Sequence, residues 1–121
     1  MIDNKIRTIV VDDHALIREG LNRIISFEED LIICGQFRSG EELLNNMKNY
    51  NPDVILLDIN MPGKNGIETL KTLKILYPDI KVVMLTVEND KKTIMESIDI
   101  GADAYILKES AGSEIVNAIR N

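Results

Sequence analysis

The chain is short of cysteine, histidine, basic charge and long apolar runs, and each shortage closes off a class of function. Its single cysteine, Cys34, excludes an internal disulfide. It lies in the apolar run Leu31-Ile32-Ile33-Cys34, where a buried and inert thiol is expected. Acidic residues outnumber basic ones, 20 to 14, for a net charge of −6. Nucleic-acid binding by this chain itself would need a basic stripe, so no direct contact with DNA or RNA is expected. No apolar run approaches the ~20 residues that cross a bilayer. The opening residues, Met1-Ile2-Asp3-Asn4-Lys5, lack the apolar core of a signal peptide. A cytoplasmic location with no membrane partner is the expectation. Linkers, low-complexity tracts and long charge blocks are also missing, so residues 1–121 read as one domain of ordinary size.

What is present is an alternation of short apolar runs with amphipathic stretches. Continuous β-branched runs suit strands covered on both faces, as in a parallel sheet. Strands are expected at 9–11, 31–37, 54–57, 82–85 and 104–107. After the first, Ile17, Leu21, Ile24 and Ile25 recur at helical spacing, with Arg18, Glu19, Asn22 and Arg23 facing away. Ser39 with Glu42 reads as a capping box for a helix that buries Leu43, Leu44 and Met47 and stops at Tyr50-Asn51-Pro52. A third helix from about 66 to 77 buries Ile67, Leu70 and Leu73 and ends at Pro78. Asp90 can cap a fourth, with Ile94 and Ile98 on its inner face and Gly101 in the left-handed position past its end. The last buries Ile115, Val116 and Ile119. Five βα units predict an α/β doubly wound, flavodoxin-like (βα)5 sandwich. Right-handed crossovers covering both faces require a reversal of strand order, and 2-1-3-4-5 places strands 1 and 3 side by side.

Four of these runs stop at polar residues: Asp12-Asp13, Asp58, Thr86 and Lys108. In an open parallel sheet, ligands bind outside the carboxyl ends of the strands, so these groups are expected to meet at one edge. Two carboxylates ~4 Å apart repel by roughly 4 kcal/mol at an effective dielectric of 20. Three in one cleft call for a cation. An oxygen-only donor set selects a hard divalent ion such as Mg²⁺, which can also bridge an incoming phosphoryl group. An ionised carboxylate needs no general base to act as nucleophile. Asp58, at the end of the central strand and before an irregular loop, is the best placed. Thr86 can then hydrogen-bond one phosphoryl oxygen, and Lys108 can neutralise another.

The strings Val10-Val11-Asp12-Asp13-His14, Leu57-Asp58-Ile59-Asn60-Met61-Pro62-Gly63, Leu85-Thr86 and Leu107-Lys108 resemble the receiver domain of two-component response regulators. The similarity runs the length of the chain. Residues 12–21 and 101–109 resemble the NarL/FixJ subfamily in particular, whose members usually carry a C-terminal LuxR-type helix-turn-helix domain. The resemblance implies a receiver fragment of a transcriptional regulator, with such a domain beyond Asn121. It also implies that Asp58 is phosphorylated by a sensor histidine kinase. Asp13, Asp58 and the Asn60 carbonyl would bind Mg²⁺ directly, with Asp12 acting mainly through water. Thr86 and Tyr105 match the family's switch pair, and Lys108 its lysine. Asn60 and Glu88 match the two positions over the path of the hydrolytic water, and Val87 narrows access to it. Such a domain is not a conventional enzyme, although it catalyses its own phosphorylation and dephosphorylation, and a homodimer can follow phosphorylation. One departure is Glu109, where many receivers have a proline after a cis bond; a cis bond before a non-proline residue costs several kcal/mol and is not expected.

Singly, these residues are uninformative: Asp12-Asp13 would serve as a helix cap and Asp58 as loop chemistry. Tyr105 would ordinarily be core, Met47, Met84 and Met95 fillers of core or interface gaps, and Lys91-Lys92 a solvated helix start. His14, one histidine without partner ligands, reads as an exposed loop residue rather than a metal ligand. A flavodoxin-like redox protein shares the topology, but two acids after strand 1 would repel a flavin phosphate. A haloacid-dehalogenase-like phosphatase would carry an acid where Asn60 stands. A stand-alone receiver, relaying phosphate or docking on a protein, is the remaining alternative.

Overall fold

Each apolar run becomes a strand, in a computed structural model that describes residues 5–59, 66–86, 91–109 and 112–121. The strands are β1 (Ile6–Val11), β2 (Leu31–Phe37), β3 (Val54–Asp58), β4 (Lys81–Thr86) and β5 (Ala104–Leu107). The helices are α1 (Ala15–Ser26), α2 (Gly40–Asn46), α3 (Gly66–Leu76), α4 (Lys91–Ile100) and α5 (Gly112–Arg120), with a 3₁₀ turn at Met47–Asn49 after α2. The sheet has the expected order β2-β1-β3-β4-β5, with every neighbouring pair parallel. Among the described residues no helix is long and apolar enough to cross a membrane. Asn60, Val87, Glu88 and the Asp90 cap lie outside the described residues.

Period-two alternation along the strands divides the core in two. Ile9, Val11, Ile55, Leu57, Val82 and Met84 face α2 and α3, where Leu43, Ile67, Leu70 and Leu73 meet them. Val10, Leu56, Val83, Leu85 and Ile106 face α1 and α5, against Leu21, Ile25, Ile115, Val116 and Ile119. β3 is buried along its whole length. Truncating one of its leucines to alanine would cost about 2–5 kcal/mol, so the strand that ends in Asp58 is a rigid mount.

Local signals mostly act as read. The Ser39 hydroxyl accepts from the Glu42 amide at 3.1 Å. The return half of the capping box is shifted by one residue, because the Glu42 carboxylate accepts from the Arg38 amide instead. Gly101 has φ +122° and donates its amide back to the Ser97 and Ile98 carbonyls, closing α4. Gly66 is needed for a close approach, since a Cβ there would collide with the Asp58 carbonyl. The Lys108–Glu109 bond is trans, as are the other described peptide bonds.

Two expectations, on Ile98 and Cys34, are corrected, and the reading of Met95 is narrowed to a surface position. Ile98 is 46% exposed, because α4 is rolled so that Ile94 and Ser97 face inward. Met95 is likewise exposed, while Met47 and Met84 are buried in the core. Cys34 is only half-buried: Thr8 pairs with Ile33 and Ile9 with Gly35, which leaves Cys34 on a bulge in β2. Burial still pushes its thiol pKa up, consistent with an unreactive group.

Candidate functional site

Parallel pairing aligns the strand ends. Val11 lies beside Leu57, Asp58 beside Leu85, and Thr86 beside Leu107. Asp12 therefore follows β1 next to Asp58, and the Lys108 amide donates to the Thr86 carbonyl at 2.7 Å. Between β1 and β3 the chain leaves toward opposite faces of the sheet, into α1 and α3. A crevice opens where such connections diverge.

In that crevice Asp12 and Asp58 are fully buried. Lys108, only 6% exposed in its side chain, holds Nζ 2.8 Å from Asp12 Oδ2 and 3.0 Å from Asp58 Oδ2. Burial works against the ammonium, but contact with the Asp12 and Asp58 carboxylates and their charge outweigh it, and the Lys108 pKa is raised. The other oxygen of Asp12 accepts from the His14 amide at 2.8 Å and lies 2.9 Å from His14 Nδ1. Asp13 Oδ1 lies 3.1 Å from the same ring nitrogen, yet it is buried without a directed hydrogen bond. Ligand atoms of Asp12, Asp13, His14 and Asp58 all fall within 4.8 Å of one another. Asp12 and Asp58 share one lysine, Asp13 lies beside them, and among the described residues its Oδ1 has no directed hydrogen bond. A divalent cation suits both the surplus charge and the oxygen-rich donor set.

The structure thus brings Asp12, Asp13, Asp58 and Lys108 together. Thr86 is buried at the end of β4. Tyr105 sits beside Met84 in the β4–β5 register and is 42% exposed, rather than core. Two residues were missed in the sequence. His14 is 59% exposed, as expected of a loop histidine, but its ring is turned onto both acids. Arg18, expected to face away, donates its guanidinium to the Asp12 carbonyl at 2.5 Å and so anchors the acidic turn. Its place one turn into α1, six residues after Asp12, was the available signal. A cleft of about 320 Å³ beside the acids is lined by His14, Ile17, Lys108 and Glu109.

Residues 8–120 match the model of the response regulator receiver domain. The chain belongs to that family. The flavodoxin-like and phosphatase readings are thereby set aside. The chain is 38% identical over 118 residues to the transcriptional regulatory protein DegU of Brevibacillus brevis, covering 98% of this chain and 50% of DegU. It is 41% identical over 115 residues to the response regulator GacA of Pseudomonas viridiflava, covering 95% and 54%. Among solved structures, the receiver domain of the putative response regulator NarL from Mycobacterium tuberculosis superposes with a TM-score of 0.89 at 31% identity, covering 97% and 94%. The isolated receiver of RcsB from Salmonella enterica, solved with the phosphomimetic BeF₃⁻, gives 0.90 at 25%, covering 97% and 87%. This receiver spans about half the length of the curated relatives it matches. They are named as regulators of transcription or as response regulators, in keeping with the NarL-type resemblance.

Proposed function

We propose that this receiver accepts a phosphoryl group onto Asp58 from the phosphohistidine of a sensor histidine kinase and controls a DNA-binding domain of the full-length protein. The observation that carries the reading is the Lys108 ammonium 3.0 Å from the fully buried Asp58 carboxylate at the end of the central strand. An Asp58 oxygen attacks phosphorus as the bond to the donor's imidazole nitrogen breaks, and the imidazole leaves with the electron pair and takes up a proton. Lys108 remains an ammonium throughout and balances the charge of a phosphoryl oxygen. Thr86 donates its hydroxyl to another. Asp13, Asp58 and the Asn60 carbonyl would hold Mg²⁺, with Asp12 engaged through water; the ion supplies charge neutralisation at the phosphoryl oxygens. Arg18 keeps the Asp12-Asp13 turn in place, and the cleft beside His14 and Glu109 gives the donor its approach.

Once Thr86 is drawn inward, Tyr105 follows, and the face of α4, β5 and α5 changes by a shift between existing states. Backbone amide shifts over residues 91–105 on adding beryllofluoride would report this, whereas shifts confined to the acid cleft would contradict it. Asn60 and Glu88 steer the hydrolytic water, so the label is lost without a separate phosphatase; decay rates unchanged by substitution at both positions would remove that role. A cytoplasmic protein that dimerises on phosphorylation fits this reading. The half-length coverage of the relatives supports an output domain over a stand-alone carrier. The central test is Asp58→Asn with Mg²⁺ and a small acyl phosphate, read by intact mass. No added phosphoryl group is expected on the variant, and labelling equal to the wild type would overturn the assignment.

A further inference from the structure

We infer that Arg18 is a positioning residue of the acid cleft: its guanidinium fixes the Asp12–Asp13 peptide and so aims the Asp13 carboxylate at the divalent cation. The inference rests on the reading of the cleft as a cation site and adds what holds the ligand in place.

Of the three acids, Asp13 is the one its side-chain contacts hold least. Asp12 Oδ1 accepts from the His14 amide, and Asp12 Oδ2 faces Lys108 at 2.8 Å. Asp58 Oδ2 faces the same lysine at 3.0 Å. Asp13 Oδ1 is buried beside the His14 ring but makes no directed hydrogen bond. A carboxylate not fixed by its own contacts takes its direction from its backbone, and that backbone begins at the Asp12–Asp13 peptide. The sheet claims one side of Asp12, whose N–H donates to the Phe37 carbonyl at 3.0 Å. Strand pairing ends at Val11, so the Asp12 carbonyl lies past the ladder. Arg18 takes it: Nη1 donates to that oxygen at 2.5 Å from a half-buried position one turn into α1. Leu21 and Ile25 seat α1 on the sheet, so the guanidinium ties the peptide plane to a fixed element. It occupies a carbonyl and leaves the carboxylate oxygens to the ion. Groups that orient a metal ligand without touching the metal are commonly worth tenfold or more in affinity. The contact is a single N–H···O bond, so it needs a charged donor of the right reach rather than the planar fork of arginine.

The test titrates the whole chain with Mg²⁺, followed by backbone amide shifts, in the wild type, Arg18→Met, Arg18→Lys and Asp13→Ala. Arg18→Met keeps an apolar stem and removes the donor. Its Mg²⁺ affinity should fall about tenfold, and the Mg²⁺ concentration for half-maximal labelling of Asp58 by an acyl phosphate should rise by the same factor. Arg18→Lys should recover most of the loss. Because Arg18 acts through Asp13, adding Arg18→Met to Asp13→Ala should weaken binding no further. An Arg18→Met chain that melts lower without metal yet binds Mg²⁺ like the wild type would make the contact a support of the fold alone and overturn the inference. So would an Arg18→Lys chain that binds no better than Arg18→Met, or an undiminished further loss in the Asp13→Ala background. If the wild type binds no Mg²⁺, or Asp13→Ala binds it equally well, the cation reading itself falls.

Discussion

The two edges of the sheet are built from the same residue types and put them to opposite uses. At the starts of β4 and β5, Asp103 Oδ2 accepts from the Val82 amide at 2.8 Å and from Lys74 Nζ at 2.9 Å. Lys74 Nζ also donates to the Ile80 carbonyl. One acid meets one base, and the backbone uses both to tie α3 to the strand starts. Asp53 does the same beside Arg7, accepting from its amide at 2.8 Å and donating back to its carbonyl. At the carboxyl ends, one lysine serves Asp12 and Asp58 while Asp13 stands alongside. The N-terminus of α1 points at that edge and favours negative charge, but a helix end supplies only about half an elementary charge. Balanced pairs with backbone partners are structural. An acid in excess of the lysine is what the proposed cation would balance.

Substitutions at the two lysines would break or sharpen this contrast. Lys108→Met should have the largest effect, removing the ammonium shared by two fully buried acids. A loss of about 3–5 kcal/mol is expected without metal, recovered in part by Mg²⁺. Denaturant unfolding with and without the ion measures both, and a loss no greater than that at Lys74 would erase the distinction. Lys74→Met removes a pair whose side chains are 16% and 39% exposed, so only about 1 kcal/mol should be lost. That loss should be the same with or without Mg²⁺, and labelling of Asp58 should be untouched. The smallest effect is expected at the end of α5, where Arg120 pairs with Asp30 and Glu28 on the surface. The Arg120 hydrogen bond holds the Asp30 carboxyl below its ordinary pKa. A depressed carboxyl stabilises the fold above its unfolded value, about 3.9, and that contribution fades as pH falls through the lower folded value. Melting curves of wild type and Arg120→Met should therefore converge in acid; a constant gap would show that the pair works through packing instead.

Much of this architecture was legible because it depends on periodicity and on chain direction. Continuous runs such as Val54-Ile55-Leu56-Leu57 suit strands buried on both faces, and βα units of one handedness require a reversal of strand order that β2-β1-β3-β4-β5 supplies. Parallel direction brings Asp12, Asp13, Asp58, Thr86 and Lys108 to one edge, and the order makes the ends of β1 and β3 neighbours. Ser39 and Gly101 were also readable, since capping and positive φ are local demands met by a residue's own chemistry. Tertiary packing decided the rest. A 3.6-residue period fixes which residues share a face but not how the helix rolls, so Ser97 faces inward and Ile98 does not. A strand pattern does not say whether a helix covers its last side chains, and Tyr105 is left 42% exposed. The sequence puts His14 and Arg18 near the acids. The contacts that turn one ring onto two carboxylates and one guanidinium onto a carbonyl span only one, two and six residues, but the β1–α1 turn they need is held by Leu21 and Ile25 of α1 packing on the sheet.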